Sequence, residues 1–508
     1  MQLSRKILSK LDLLGLDAPQ DSLFTLPVRV LQFGTGVLLR GLPDYFIDKA
    51  NKQNVFNGRV LIVKSTDNGA VDAFKEQDGL YTLLERGFVN GVKSEKTYIN
   101  ASVSSVLSAV NEWEAIVQYA ADPAMQIIIS NTTEVGIVFL QTDVDAQQPS
   151  SFPGRVLDFL QKRYTAFEGT EESGMVIIPT ELIPDNGTKL KEIVLRLASA
   201  KGLSGDFLRW LNTANDFCNS LVDCIVPGKM AVQEHTATEK TLGYEDQLMI
   251  MTEPYRLWAI ETFRERTQQI LSFSKVNPGV VIAPDINKFR ELKLRLLNGT
   301  HTFSCGLAHL LGFKTVKDAM GDPDFNEYIS HLMLQEIAPL VVSDQISTTE
   351  ATVFVEQVID RFKNPYIEHL WLNITMQYTS KMTMRTVPLL AKHYEISGEL
   401  PDCMALGFAA FIVFMRSAKE TDGRFRGEYN GQSYLIQDDK AILLYNQWQE
   451  NSFENRVVNI LKDEAIFGKD LTLYPGFVEA VQQYTMLIQK DGATTTLHSW
   501  VAKNNSHE

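Results

Sequence analysis

Pro27-Val-Arg-Val-Leu-Gln-Phe33 runs straight into Gly34-Thr35-Gly36, and this stretch decides the fold class. An apolar run of this length, stopped by glycines, reads as a buried strand. Val37 to Lys49 can continue as a helix, with Pro43 the weak point. Arg59-Val-Leu-Ile-Val63 is a second strand, followed by the turn residues Asp67-Asn68-Gly69. Gln126-Ile-Ile-Ile-Ser130 is another, ending in Asn131-Thr132-Thr133-Glu134. Strand, glycine turn, helix, strand is the grammar of a parallel α/β sheet. Gly34 and Gly36 allow a tight turn and let a pyrophosphate approach backbone N–H groups at a helix start. Leu39 occupies the third glycine position of the dinucleotide fingerprint, so the motif is incomplete, and an ordinary strand-to-helix turn reads equally well. Asp67 is the nearest acid to hold a ribose diol; Lys64 and Ser65 lie closer and would suit a 2′-phosphate.

A chain of 508 residues exceeds one ordinary core, so two domains are expected. The strand–helix rhythm continues through Val176-Ile-Ile-Pro179 and Val280-Val-Ile282, then stops. Long helical patterns follow, interrupted by a Gly-, Tyr- and Asn-rich hairpin or loop at Asp422 to Asp439. The expected boundary is therefore 1–285 and 286–508. Residues 1–24 read as a helical lead-in. With 44% apolar residues, 22% charged residues and a net charge of −14, the chain is an ordinary globular protein unsuited to nucleic acid or anionic membranes. The N-terminus lacks the apolar core of a signal peptide, and Cys403 to Met415 is too short to cross a bilayer. Four cysteines fit a reducing cytoplasm.

Lys293-Leu-Arg-Leu-Leu-Asn298-Gly299-Thr300-His301 carries the chemistry. It reads as an amphipathic helix from about Ile286 to an Asn-Gly break. On a helical wheel His301 falls between Lys293 and Asn298, so an amine, an amide and an imidazole share one arc. Such a trio suits proton transfer to or from a carbonyl or alcohol oxygen. A solvated Lys, a helix-stop Asn and a packed His would give the same spacing. His301, Cys305 and His309 also repeat every four residues, as metal ligands on one face would. No carboxylate clusters with them, so no metal is expected.

The motif "KLRLLNGTH" resembles the long-chain polyol dehydrogenase/reductase family, which includes mannitol dehydrogenase. The resemblance extends in order through "QFGTGVLLRG" (32–41), "SNTTEVG" (130–136), "IPDNG" (183–187), "NSLVDCIVP" (219–227), "EPYRLWAIE" (253–261), "RFKNP" (361–365) and "TSKMTMRTVP" (379–388). It implies an N-terminal Rossmann-type domain, a mostly α-helical C-terminal domain, and metal-independent hydride transfer with NAD. It makes Lys293 the general acid/base, Asn298 the carbonyl-polarising amide and His301 a substrate-orienting group. Asp223 and Lys381 would touch substrate, and Asn186 belongs to the same motif set. Gly34, Thr35, Gly36, Val37, Leu38, Arg40, Asp67, Asn131, Thr132 and Glu134 would line the cofactor.

Three departures are informative. Mannitol-type members carry Asn where this chain has Leu182, Arg where it has Asn373, and Glu where it has Arg290. The pattern resembles the branch that reduces tagaturonate; fructuronate reduction, polyol oxidation, or a catalytically dead sugar-acid binder are the alternatives. Glu181 is the nearest polar residue to the missing amide. A small sugar acid needs a cation for its carboxylate, and Arg290, one turn before Lys293, is the first candidate. Arg385 and Lys381 are the others.

Overall fold

The computed structural model describes residues 1–9, 16–65, 71–132, 135–450 and 452–505. Its chain forms two compact units, one of residues 1–87 and 93–286, the other of 88–92 and 287–508.

The first unit is built on six parallel strands: β1 (Val28–Phe33), β2 (Arg59–Lys64), β3 (Val103–Ser108), β4 (Ile127–Ser130), β5 (Val176–Pro179) and β6 (Asp216–Phe217). Their order is β3-β2-β1-β4-β5-β6, the doubly wound order of dinucleotide-binding domains. Alternation splits each strand between two cores. Val30, Ile127 and Ile129 enter one; Leu31, Phe33 and Ile128 enter the other. With both faces covered, all six residues of β2 are buried, including Lys64.

Local chemistry sets the first crossover. Helix α1 (Val37–Gly41) stops at Leu42, and α2 (Pro43–Lys52) restarts with Pro43 at its first position, where proline needs no N–H partner. The longer helices α3 (Phe152–Ala166) and α4 (Asn186–Ala200) cover the other half of the sheet. A small second sheet joins β7 (Ser220–Asp223), β8 (Leu257–Glu261) and β9 (Val280–Ala283). Two elements depart from the sequence reading. The lead-in has one helical turn at Arg5–Leu8, a short strand at Leu16–Asp17 and a 3₁₀ turn at Asp21–Thr25. The paired strands Tyr81–Val89 and Val92–Asn100 are new, and their tip, 88–92, groups with the second unit.

The second unit is helical. Helix α5 (Asn287–Leu292) runs into a π-helix at Lys293–Gly299 and on into α6 (Thr300–Leu310). Then come α7 (Thr348–Phe362) and α8 (Tyr378–Lys381), a π-helix at Met382–Thr386, α9 (Val387–Ile396) and the buried α10 (Asp402–Phe414). The expected Asn-Gly break is absent. Gly299 keeps helical angles and is there for space: a Cβ would lie 3.0 Å from Leu389 of α9. The hairpin falls within 422–439, where Asn430 and Gly431 take the positive φ that a tight hairpin turn requires. Among the described residues no helix is long and apolar enough to cross a membrane.

A third π-helix, Leu332–Ile337, brings Glu336 under the start of α10. Pro401 offers no capping side chain there, and the Glu336 carboxylate accepts the N–H groups of Cys403 (2.7 Å) and Met404 (2.9 Å) instead. Burial pushes this carboxyl from 4.5 up to about 8. The folded chain therefore holds a proton that the unfolded chain releases; this stabilisation is complete below about pH 4.5 and is lost as pH rises through about 8. Melting curves from pH 6 to 9 should show a shallower fall in Tm for Glu336→Gln than for the native chain. Equal slopes would remove Glu336 from the pH response.

Candidate active site

In the first unit, Gly34 sits at the end of β1 with φ +126°. Its N–H donates to Val63 O (3.1 Å), and a Cβ would lie 3.0 Å from Asn131 O and 3.1 Å from the Leu39 side chain. Leu39 thus fills the place of the missing third glycine by packing under the first. A Cβ on Gly36 would meet nothing, so its backbone faces open space at the start of α1. Thr35, Val37 and Leu38 are half-buried around it. Asn131 and Thr132 follow β4, the neighbour of β1 at which the strand order reverses. Ligands of such sheets bind at that reversal, so a bare backbone turn there fits a pyrophosphate. Asp67 and Glu134 lie outside the described residues.

Several expected contacts have other tasks. Arg40 turns inward: its guanidinium donates to Leu248 O (2.6 Å) and lies 5.3 Å from the Tyr81 ring, and burial lowers its pKa. It braces α1. The Glu181 carboxylate accepts from Ser130 Oγ (3.1 Å), Thr132 N (2.9 Å) and Thr132 Oγ1 (3.0 Å), so it fixes the loop after β4. Asn186 is fully buried and ties the start of α4 to β7, donating to Glu181 O and Ser220 O and accepting from Ser220 N. The Asn186 amide has both hydrogens and its oxygen engaged, so it has no capacity left to replace the missing amide. Leu182 is 60% exposed. Asp223 ends β7, buried opposite Leu257.

In the second unit the π-helix changes which residues share a face. In an α-helix, residues five apart are turned by about 140°. A π-turn closes its hydrogen bonds between residues five apart, which brings Lys293 and Asn298 closer together around the axis than an α-helix would. Both are half-buried. Thr302 Oγ1 donates to Asn298 O (2.7 Å) and accepts from Arg385 (3.4 Å). Arg385 lies in the π-helix after α8, which packs against the one bearing Lys293. Lys381 ends α8 and donates to Ile374 O (2.8 Å).

His301 is 8% exposed, stacked on Phe362 (4.3 Å) and edge-on to His369 (5.1 Å) and Trp371 (5.9 Å). Its Nε2 is buried with no hydrogen-bond partner among the described residues. Burial, then the charges of His369, Arg361, Arg385 and Lys381, hold its pKa well below the usual value, so the ring is neutral at pH 7. Arg290 is half-buried and donates to Asn287 Oδ1 (3.3 Å) on its own helix. His369 and Arg361 escaped the sequence reading. Arg361 opens the motif "RFKNP", but nothing in the spacing links that motif to His301.

The metal-like repeat is plain packing. Cys305 is buried and its thiol contacts Thr302 O, while His309 packs on Tyr434 (4.5 Å) and Phe414 (5.3 Å). Among the described residues the potential ligand atoms that converge are those of His331, Glu336 and Cys403, within 4.8 Å of one another. Both Glu336 oxygens there are already engaged by backbone amides.

A doubly wound nucleotide domain followed by a helical domain with a lysine, an amide and an imidazole on one helix defines a dehydrogenase of the mannitol dehydrogenase family, and the chain belongs to that family. The family's Rossmann domain matches residues 28–271 and its C-terminal domain residues 285–488. Within it, the chain is 37% identical over 480 residues to the altronate oxidoreductase of Halalkalibacterium halodurans, covering 92% of each. It is 36% identical over 481 residues to that of Bacillus subtilis, covering 93% of this chain and 95% of the relative. Two solved structures share the fold. D-sorbitol dehydrogenase has a TM-score of 0.78 at 20% identity, covering 98% of this chain and 100% of the other. The Pseudomonas fluorescens mannitol 2-dehydrogenase ternary complex with NAD and D-mannitol has 0.69 at 23%, covering 99% and 100%.

Gly34→Ala should be costly. It forces a side chain into a left-handed backbone and against a carbonyl, a loss of about 1–3 kcal/mol in unfolding free energy. Denaturant titration measures it; a variant as stable as the native chain would mean the turn relaxes freely.

Proposed function

We propose that the chain is an NAD-dependent tagaturonate reductase of the cytoplasm, interconverting D-tagaturonate and D-altronate in hexuronate breakdown. Two similar relatives carry the name altronate oxidoreductase over nearly their whole length. The observation that carries the chemistry is the π-turn that aligns Lys293 with Asn298, next to a neutral His301.

Residues 1–285 hold the dinucleotide and 286–508 the substrate. Gly34, Thr35 and Gly36 offer backbone to the pyrophosphate, and the bound nicotinamide supplies or accepts the hydride. The Asn298 amide donates to the substrate carbonyl oxygen and draws electron density from its carbon. As that oxygen becomes an alkoxide, Lys293 Nζ gives it a proton; in the oxidative direction Lys293 takes the hydroxyl proton back. His301, neutral and with an unused Nε2, accepts from a neighbouring substrate hydroxyl and fixes the sugar chain. Burying the carboxylate unpaired would cost several kcal/mol, so it must meet cations. Arg385, on the π-helix packed against the Lys293 turn and donating to Thr302, supplies one, and Lys381, one turn before it, the other.

The deciding assay is NADH oxidation with tagaturonate, fructuronate and fructose side by side; preference for either of the last two replaces this reading. Lys293→Ala should lower kcat about 10²–10⁴-fold with little change in NADH binding. Arg385→Ala should lower kcat/KM for tagaturonate about 10–100-fold, the loss of a charge-assisted pair, and Arg290→Ala less than about 5-fold. The reverse ranking would return the carboxylate to Arg290. NADH should be preferred over NADPH if Asp67 holds the ribose diol; preference for NADPH would shift that role to Lys64 and Ser65.

A further inference from the structure

We propose that His369 is a substrate-binding residue that, with Lys381 and Arg385, forms the subsite for the sugar-acid carboxylate. This deepens the function proposed above and rests on it.

The placement is built rather than incidental. His369 precedes an antiparallel bridge between Leu370 and Thr315, and its backbone is clamped on both sides: Val316 N donates to His369 O (2.9 Å) and Trp371 N donates to Lys314 O (3.0 Å). The clamp fixes where the imidazole stands, edge-on to His301 at 5.1 Å. The two rings differ in exposure. His301 is enclosed by Phe362 and Trp371, while His369 is half-buried, and its ring nitrogens make no hydrogen bond among the described residues. One wall of the neighbourhood therefore offers an enclosed, unpartnered Nε2 and the other an imidazole open to a ligand. Buried polar atoms are normally satisfied, and a pair such as this points to a polar group that arrives from outside.

The charges say which group. His301 and His369 feel Arg361 and Lys381, and His301 also feels Arg385. Each lowers the proton affinity of the imidazoles, and Lys381 and Arg385 carry positive charge into this partly desolvated place. Asp438 is an acid acting on Lys381. An anion entering here relieves the repulsion and lets His369 donate an N–H to it. A neutral polyol gains none of this. The subsite is thus selective for an acid over an alditol of the same length.

The test is calorimetric titration of the full chain with D-gluconate, a six-carbon aldonate, and with D-glucitol, its neutral counterpart. The native chain should bind the aldonate at least about 10-fold more tightly than the alditol. His369→Ala should erase most of that difference and leave the alditol unchanged, and His369→Gln, which keeps a donor, should restore part of it. In turnover, His369→Ala should raise KM for tagaturonate at least about 10-fold with kcat within about 3-fold and KM for NADH unmoved. Unchanged aldonate binding in His369→Ala overturns the proposal. So does an equal fall for both ligands, which is a packing role, and so does a native chain that binds the aldonate no better than the alditol. Acid-selective binding that depends on His369, in a chain that does not turn over tagaturonate, would sink the proposed reaction and leave the subsite standing.

Discussion

The hydrogen-bond pattern of seven residues, Lys293 to Gly299, governs the chemistry of the second unit. In a regular α-helix the amine and the amide would point roughly 140° apart and could not serve one oxygen. Winding the backbone wider costs stability, since π-turns are rare outside functional sites. Neighbours hold it in place. Thr302 satisfies the carbonyl of Asn298, and Gly299 lets Leu389 of α9 press against the turn. The π-helices at Met382–Thr386 and Leu332–Ile337 pack on the same stretch. Packing on both sides thus supports the wide turn at Lys293–Gly299.

Burial then decides protonation. The second unit keeps an imidazole neutral by enclosing it among aromatic rings and placing cations around it. In the first unit the same desolvation raises Asp44, beneath the glycine turn, to about 7, with Gln32 donating to it (3.2 Å). Both sites illustrate one rule: enclosure disfavours the charged form, and at Asp44 the Gln32 hydrogen bond and the nearby Arg40 offset only part of that cost.

The parallel sheet was legible because strands buried on both faces write themselves as short apolar runs stopped by glycine or asparagine. The strand Val103–Ser108 and the pair Tyr81–Val89 and Val92–Asn100 were not, since polar and charged residues interrupt their apolar runs, even in Tyr81–Val89, which is mostly buried. Lys293, Asn298 and His301 stood out by residue type, yet the wheel that grouped them assumed α geometry, and a π-turn has no sequence signature. Arg40, Glu181 and Asn186 show what a motif hides: a polar residue looks free in sequence until its buried partners are seen. His369 is 68 positions from His301 in sequence, and only folding makes them neighbours.

The grouping of residues 88–92 with the second unit has a consequence for the order of assembly. Gly91 N–H donates to Asp360 (3.1 Å), a contact spanning 269 positions. Synthesis delivers the tip of that hairpin early and its partner late. The sheet of the first unit can close while the chain is still growing, but the tip must wait until α7 exists. A cut after Ile286 therefore leaves each fragment incomplete, one carrying a loop that belongs elsewhere and the other lacking five of its own residues.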